Sequence, residues 1–356
     1  MSDAGPPQGA KAPSGGSEVH EVTSVGARAH PREILLGAQA QTGFLPVCDH
    51  YSGVEARMRK SLQLQAEMTE EFGACVFDVT LDCEDGAPVG GEADHAALVV
   101  ALVSLASDKA RVAVRIHPAD HPAFEQDIAT IAGKAGRKLC HVMIPKVESV
   151  RDVERACELL QAAGAGHLPL QALIESPAAV HRAFDIAAHP RIQSLSFGLM
   201  DFVSAHGGAI PSYAMGLEGQ FTHPLVVRAK LEIASACHAH GKVPAHGVVT
   251  EYKDRTSLLA VARRAARELG FTRMWSIHPD QIRPILEAFA PSAHEIEMAT
   301  KIIAAAARVD WAPISFEGKL EDRASYRYYW QVLERAHQTG RKLATDVQGW
   351  FDTPHH

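Results

Sequence analysis

The chain predicts an α/β fold of one particular kind, a (β/α)8 TIM barrel carrying a helical extension at its carboxyl end. Short apolar runs recur eight times, near residues 44–49, 76–83, 111–116, 140–147, 170–175, 194–200, 242–249 and 274–278. Longer segments with helical spacing and alanine-rich faces separate most of them, at 55–71, 92–107, 149–163, 225–240 and 254–269. Strands alternating with helices imply a parallel sheet. Eight such units over roughly 235 residues match the ~250 residues typical of a closed barrel. An open doubly wound sheet is the competing arrangement, but it usually needs a Gly-rich phosphate turn after its first strand. The run Phe44-Leu-Pro-Val-Cys-Asp49 has no such turn.

Before the first run, residues 1–32 are crowded with Gly, Pro and Ser, as in Gly5-Pro6-Pro7. Such a segment buries too little apolar surface to offset its ordering entropy, so a disordered tail is expected there. The barrel domain is expected over 33–290. Beyond it, 291–356 forms an extension: a helix at 292–308, a loop from Trp311 to Lys319 and an aromatic helix from Arg323 to about Arg341. Tyr326, Tyr328, Tyr329 and Trp330 suit a lid or a subunit contact. A pair of helices closing one end of the barrel fits the pattern equally well.

The chain has 356 residues, 46% hydrophobic and 22% charged, enough for a large core. Its formal charge of -7 argues against nucleic acid as a partner. No apolar run approaches the ~18 residues of a membrane span, and the start lacks the order of a signal peptide. The 6 cysteines form no C-x-x-C pair and read as reduced thiols of a cytoplasmic protein. None of the 20 histidines falls in a strong zinc spacing.

Chemistry is sought where the runs end, because barrel enzymes place it at the carboxyl-terminal rim. The second run ends in Asp82-Cys-Glu84-Asp85-Gly86, either a solvated acidic loop or a cation site. The third ends in Arg115-Ile-His117. A strand-end arginine needs a partner, so Arg115 pairs with Glu84 or Asp85, clamps a ligand carboxylate, or does both. His117 is a proton carrier or a structural residue. Lys146, after the fourth run, forms a Schiff base or pairs with the acids of the rim.

Glu175 and Asp201 close the fifth and sixth runs. Two nearby buried carboxylates repel, and one must take a proton unless a cation lies between them. Few protein ligands suit Mg²⁺, which keeps several waters; Mn²⁺ is the alternative ion. The competing role for Glu175 is to cap the helix that begins at Ser176-Pro177. His278, in Ser276-Ile-His-Pro-Asp-Gln281, supports the rim or contacts a ligand.

In this order, Asp-Cys-Glu-Asp-Gly, Val-Arg-Ile, Ile-Pro-Lys-Val-Glu, Ala-Leu-Ile-Glu, Ser-Phe-Gly-Leu-Met-Asp and Ser-Ile-His-Pro-Asp-Gln, the motifs resemble the citrate lyase β-subunit (HpcH/HpaI aldolase) family over residues 44 to about 342. That resemblance implies a Mg²⁺-dependent carbon–carbon lyase, usually trimeric, acting on a CoA thioester such as malyl-, citramalyl- or citryl-CoA, or on the matching oxo-acid. It puts Glu175 and Asp201 at the metal-ligand positions and Arg115 at the carbonyl or enolate oxygen. Glu84 and Asp85 match acids that order metal-bound water. Asp322 resembles an aspartate delivered as general acid or base by a neighbour's lid.

A homotrimer or a dimer of trimers is therefore expected. The chain departs from the family at His117, Arg273-Met274, His246 and the first strand, positions that bear on thioester recognition. A thioesterase, a malate-synthase-like condensing enzyme and a complex-bound or non-catalytic subunit remain the other readings.

Overall fold

In the computed structural model, residues 1, 30–37 and 45–351 are described. Eight parallel strands close a barrel in sequence order: β1 Cys48–Ser52, β2 Phe77–Asp82, β3 Val112–Arg115, β4 Leu139–Ile144, β5 Leu170–Ile174, β6 Ile192–Phe197, β7 Val243–His246 and β8 Arg273–Ser276. The last strand pairs with the first, Trp275 opposite Asp49. Each predicted helix forms within a few residues of its expected bounds, from Glu55–Phe72 to Arg323–Gln338.

The first strand differs most from expectation. It begins at Cys48 rather than at residue 44 and runs on to Ser52, so His50 and Tyr51 belong to it. Polar residues hid this, because the interior of this barrel is not uniformly apolar. The sixth apolar run also splits. Its strand ends at Phe197, and Leu199 to Ser204 turn into a short helix whose Leu199, Phe202 and Val203 are buried.

At the amino-terminal end of the barrel, Arg273 is wholly buried between two carboxylates, with Nη2 at 2.7 Å from both Asp49 Oδ2 and Asp78 Oδ2. Asp78 also receives Arg111 Nε at 2.5 Å, and Asp49 accepts a hydrogen bond from Thr80. An ionic plug therefore fills the layer that branched apolar side chains usually fill.

The extension has its own core of Ile302, Ile303, Tyr326, Trp330 and Leu333. Leu35 joins that core from a helix at Pro31–Leu36, and Arg32 of the same helix makes a 2.5 Å ion pair with Glu334. The chain is thus already ordered at His30; the rest of the expected tail lies outside the described residues. A two-stranded ribbon, β9 Ile314–Phe316 with β10 Lys319–Glu321, leads into the last long helix.

The plug makes a stability prediction. Arg273→Met leaves the buried Asp49 without a counter-charge and Asp78 with Arg111 alone, which costs on the order of 3–5 kcal/mol. Urea unfolding measures this; a loss below about 1 kcal/mol at an unchanged denaturant slope would contradict the assigned role.

Candidate active site at the carboxyl-terminal rim

Barrel closure sends the ends of β2, β3, β5 and β6 to one rim. Asp82 ends β2 and Arg115 ends β3, directly opposite in register. Their side chains make a bidentate pair, Arg115 Nε to Asp82 Oδ1 at 2.7 Å and Nη2 to Oδ2 at 2.5 Å. Backbone N–H groups of Glu84 and Gly86 fix the same carboxylate at 3.0 and 2.9 Å. A Cβ on Gly86 would collide with Asp82 Oδ2, so glycine is required for that grip.

The fork–fork geometry holds the guanidinium plane against rotation. Burial opposes its charge, but Asp82 first and Glu84 second push its pKa up, and the guanidinium carbon rests 5.5 and 5.9 Å from the ring centres of Tyr51 and Trp275. Arg115 was expected to pair with Glu84 or Asp85. Glu84 does lie 3.0 Å from Nη1, but the principal partner is Asp82.

Lys146 ties the next two acids together. Its Nζ donates to Glu84 Oε1 at 2.6 Å and lies 3.7 Å from Asp85, while its backbone N–H donates to Glu175 Oε1 at 2.7 Å. It adopts a left-handed φ of 51°, a strained geometry for a non-glycine residue that persists only where surrounding bonds over-determine it. The pairing raises the amine's pKa above its ordinary value. A protonated, engaged amine is no Schiff-base nucleophile.

Glu175 directly follows β5 and is buried. It does not cap the following helix, because Ser176 Oγ accepts the Ala179 N–H in that role. Gly198 packs so tightly on it that a Cβ there would lie 2.5 Å from Oε2. Burial first, and the neighbouring Asp201 second, raise the Glu175 pKa from 4.5 to about 8.

Asp201 stands in the short helix after β6, and the two acids line the same two cavities, of about 830 and 450 Å³. The larger also holds Asp82, Asp85, Arg115, Tyr51, Trp275 and Gln220. Burial and Glu84 raise the Asp85 pKa too. Glu84 Oε2 is buried and, among the described residues, meets only the Arg115 guanidinium, at 3.0 Å and outside hydrogen-bond geometry. Five acids thus surround two cations, and Glu175 carries the unrelieved repulsion. Such a set fits a divalent cation with hard oxygen ligands.

Other expected residues stand apart. His117 is locked to Asp127 by Nδ1 at 2.6 Å and by its own backbone N–H, stacks on His121, and lines neither cavity. His278 caps the helix Pro279–Phe289 and stacks on Tyr252 at the cavity edge. Asp322 caps the helix Arg323–Gln338, accepting the N–H groups of Ala324 and Ser325, and lines neither cavity of its own chain.

Asp78, Cys140 and His141 form another grouping of metal-type side chains. Arg111 and Arg273 already hold both Asp78 oxygens, and burial raises the Cys140 thiol, so this grouping does not suit a cation. Asp82 escaped sequence reasoning, although it stood in the quoted acidic block. Its register opposite Arg115 was the missing information.

A profile of the HpcH/HpaI aldolase/citrate lyase family matches residues 62–279. The L-malyl-CoA/β-methylmalyl-CoA lyase of Cereibacter sphaeroides is 32% identical over 288 residues, covering 75% of this chain and 90% of that protein. The crystal structure of a citrate lyase from Burkholderia xenovorans LB400 superposes with a TM-score of 0.74 at 48% identity, over 90% of this chain and 99% of its own. The Mycobacterium tuberculosis citrate lyase β subunit complexed with oxaloacetate and magnesium gives a TM-score of 0.55 at 25% identity, over 69% and 98%.

The shifted Glu175 makes a pH prediction. Below about 4.5 both folded and unfolded chains hold this proton, whereas between about 4.5 and 8 the unfolded chain has lost it and the folded chain holds it. Metal-free stability therefore falls as pH rises through that window. Differential scanning calorimetry should show Mg²⁺ raising Tm more at pH 8 than at pH 5.5. Glu175→Gln should flatten the metal-free pH dependence; an unchanged slope would remove Glu175 as its source.

Proposed function

This chain belongs to the HpcH/HpaI aldolase/citrate lyase family, and from that membership we propose a Mg²⁺-dependent carbon–carbon lyase that cleaves, or in reverse forms, a 3-hydroxy-carboxyacyl thioester. The carrying observation is a buried carboxylate, Glu175, repelled by the half-buried Asp201 in one cavity, with an arginine held beside them by a third carboxylate, Asp82. Glu175 and Asp201 would hold the ion, which when bound supplies Lewis-acid stabilisation of developing negative charge. Mn²⁺ shares the preference for oxygen ligands and is the expected substitute.

The protein's own residues account for the rest. Asp82 occupies two N–H groups of Arg115 and Glu84 lies 3.0 Å from Nη1, which leaves the remaining donors for the ligand. Carbon–carbon cleavage turns the substrate hydroxyl into the carbonyl of an oxo-acid as its proton passes, through ordered water, to an acid of the rim. The bonding pair passes to the thioester fragment as an enolate. Arg115, fixed before the reaction, meets the enolate oxygen without reorganising. Glu84 and Asp85 stand where they can order water beside the carboxylate pair, and Lys146 holds Glu84 and Glu175 at their spacing.

A proton returned to the enolate carbon completes the acyl thioester. Asp322 lies outside the cavity of its own chain, so it takes that role only if a second copy brings its extension over the rim. A homotrimer, or a dimer of trimers, is the proposed assembly. The 6 cysteines are all free thiols and suit a reducing compartment, the cytoplasm.

Malyl-, citramalyl- and citryl-CoA, each assayed with and without Mg²⁺ for glyoxylate, pyruvate, oxaloacetate and free CoA, test the reading. Mg²⁺-dependent oxo-acid release from one of them is expected. CoA release without oxo-acid would mark a thioesterase instead. Glu175→Gln and Asp201→Asn should each lower kcat/KM by at least about a hundredfold, a size typical of losing a transition-state charge stabiliser; unchanged activity and Mg²⁺ binding would contradict the assignment. Mixed Arg115→Ala and Asp322→Ala subunits should recover activity that neither has alone, and no recovery would count against a shared site.

A further inference from the structure

We infer that Gln220 is a ligand-binding residue of this site, its carboxamide turned by the buried Lys230 so that the N–H groups face the cavity. Lys230 lies on the helix Pro224–Ala239 with no exposed surface. Its Nζ donates to Gln220 Oε1 at 2.8 Å and sits 4.2 Å from the centre of the Phe221 ring. No carboxylate among the described residues pairs with it, and the charge that acts on it, Arg264, has the same sign. Burial first, and Arg264 second, push its pKa well below the usual lysine value.

A buried lysine with no acid lowers stability, and an apolar side chain of similar shape would pack there at less cost. What the amine supplies is an N–H donor, which it keeps whether or not it is protonated. That donor fixes which end of Gln220 is the oxygen end.

The other end is then free. Nε2 of Gln220 has no acceptor among the described residues, and it is not among the buried atoms sealed from solvent without a partner, as both amide atoms of Gln171 are. Gln220 lines the larger cavity together with Phe197, Gly198 and Met215. Gly198 is the residue packed on Glu175. An uncharged N–H pair therefore opens beside the carboxylates assigned to the metal. It fits an acceptor oxygen, of a carboxylate or a carbonyl, on the small acid bound there. Lys230 touches no ligand and is a positioning residue.

The inference rests on the lyase reading for the identity of that acid, so its test separates the two. Pyruvate, glyoxylate and oxaloacetate are titrated calorimetrically, at saturating Mg²⁺, into the full chain and into Gln220→Leu, Gln220→Glu, Lys230→Met and the Gln220→Leu/Lys230→Met double variant. Gln220→Glu keeps a partner for Lys230 and guards against a folding defect in Gln220→Leu. Both Gln220 variants should weaken oxo-acid binding by about tenfold, the effect of one hydrogen bond to a charged group, with Mg²⁺ affinity unchanged. Lys230→Met should weaken it on the order of threefold in the parent and not at all beside Gln220→Leu, because coupled residues are not additive. Affinities within about twofold of the parent in both Gln220 variants overturn the inference. An equal loss from Lys230→Met in both backgrounds overturns the positioning role. A parent that binds none of the three acids overturns the lyase reading, and with it the ligand assigned to Gln220.

Discussion

The rim depends on a surplus of negative charge gathered around one buried carboxylate, Glu175. Asp82, Glu84, Asp85, Glu175 and Asp201 face Arg115 and Lys146, and only some of the acids are neutralised. Asp82 is consumed in holding Arg115, and Glu84 in holding Lys146. What remains falls on Glu175, whose carboxyl rises to about 8 because burial and Asp201 both disfavour its charge. The geometry around it permits no escape: Gly198 presses on one side and the Lys146 N–H grips the other. A divalent cation would relieve this arrangement, and this is the basis for proposing one here.

The barrel interior is built in charged and aromatic layers that serve this rim. Below lies the Asp49–Arg273–Asp78 plug, at the amino-terminal end of the barrel, with Arg111 and Thr80 completing its contacts. Above it Tyr51 and Trp275 stack at 4.2 Å, with Trp275 Nε1 donating to Ser196. Arg115 rests over both rings. The aromatic pair separates the two ionic layers and presents Arg115 with a dry face, where an electrostatic contact to a developing negative charge counts for more than in water. Among the described residues, the extension lines neither cavity of its own chain. It buries its aromatic face against the helix Pro31–Leu36, so any part it plays in catalysis must be played on another copy.

Much of this was legible from residue order. Apolar runs separated by amphipathic helices mark a barrel because each strand of a parallel sheet is covered by its own helix. Glu175 stood out because a carboxylate directly after Ala-Leu-Ile has nowhere to go but the rim. Charged residues inside the barrel were harder to read. Asp49 looked like the end of a strand and proved to be its second residue. Asp201 looked like a strand end and lies in a helix, because Leu199, Phe202 and Val203 continue the apolar run with a different period. Asp82 and Glu84 are near-equivalent in sequence, and only pairing across β2 and β3 shows which of them holds Arg115 in a fork. Lys230 gave no signal: a lysine within a mixed helix reads as surface, and its burial depends on Gln220 and Phe221 arriving from the preceding turn.

The account turns on Glu175 and Asp201 sharing a divalent cation that replaces a proton. Calorimetric titration of Mg²⁺ at pH 7, repeated in buffers of different ionisation enthalpy, counts the protons released. With Glu175 titrating near 8, the parent protein should release close to one proton per ion bound, and Glu175→Gln should release none while binding Mg²⁺ far more weakly. Tight Mg²⁺ binding with no proton release, unchanged in Glu175→Gln, would place the ion elsewhere and contradict the account.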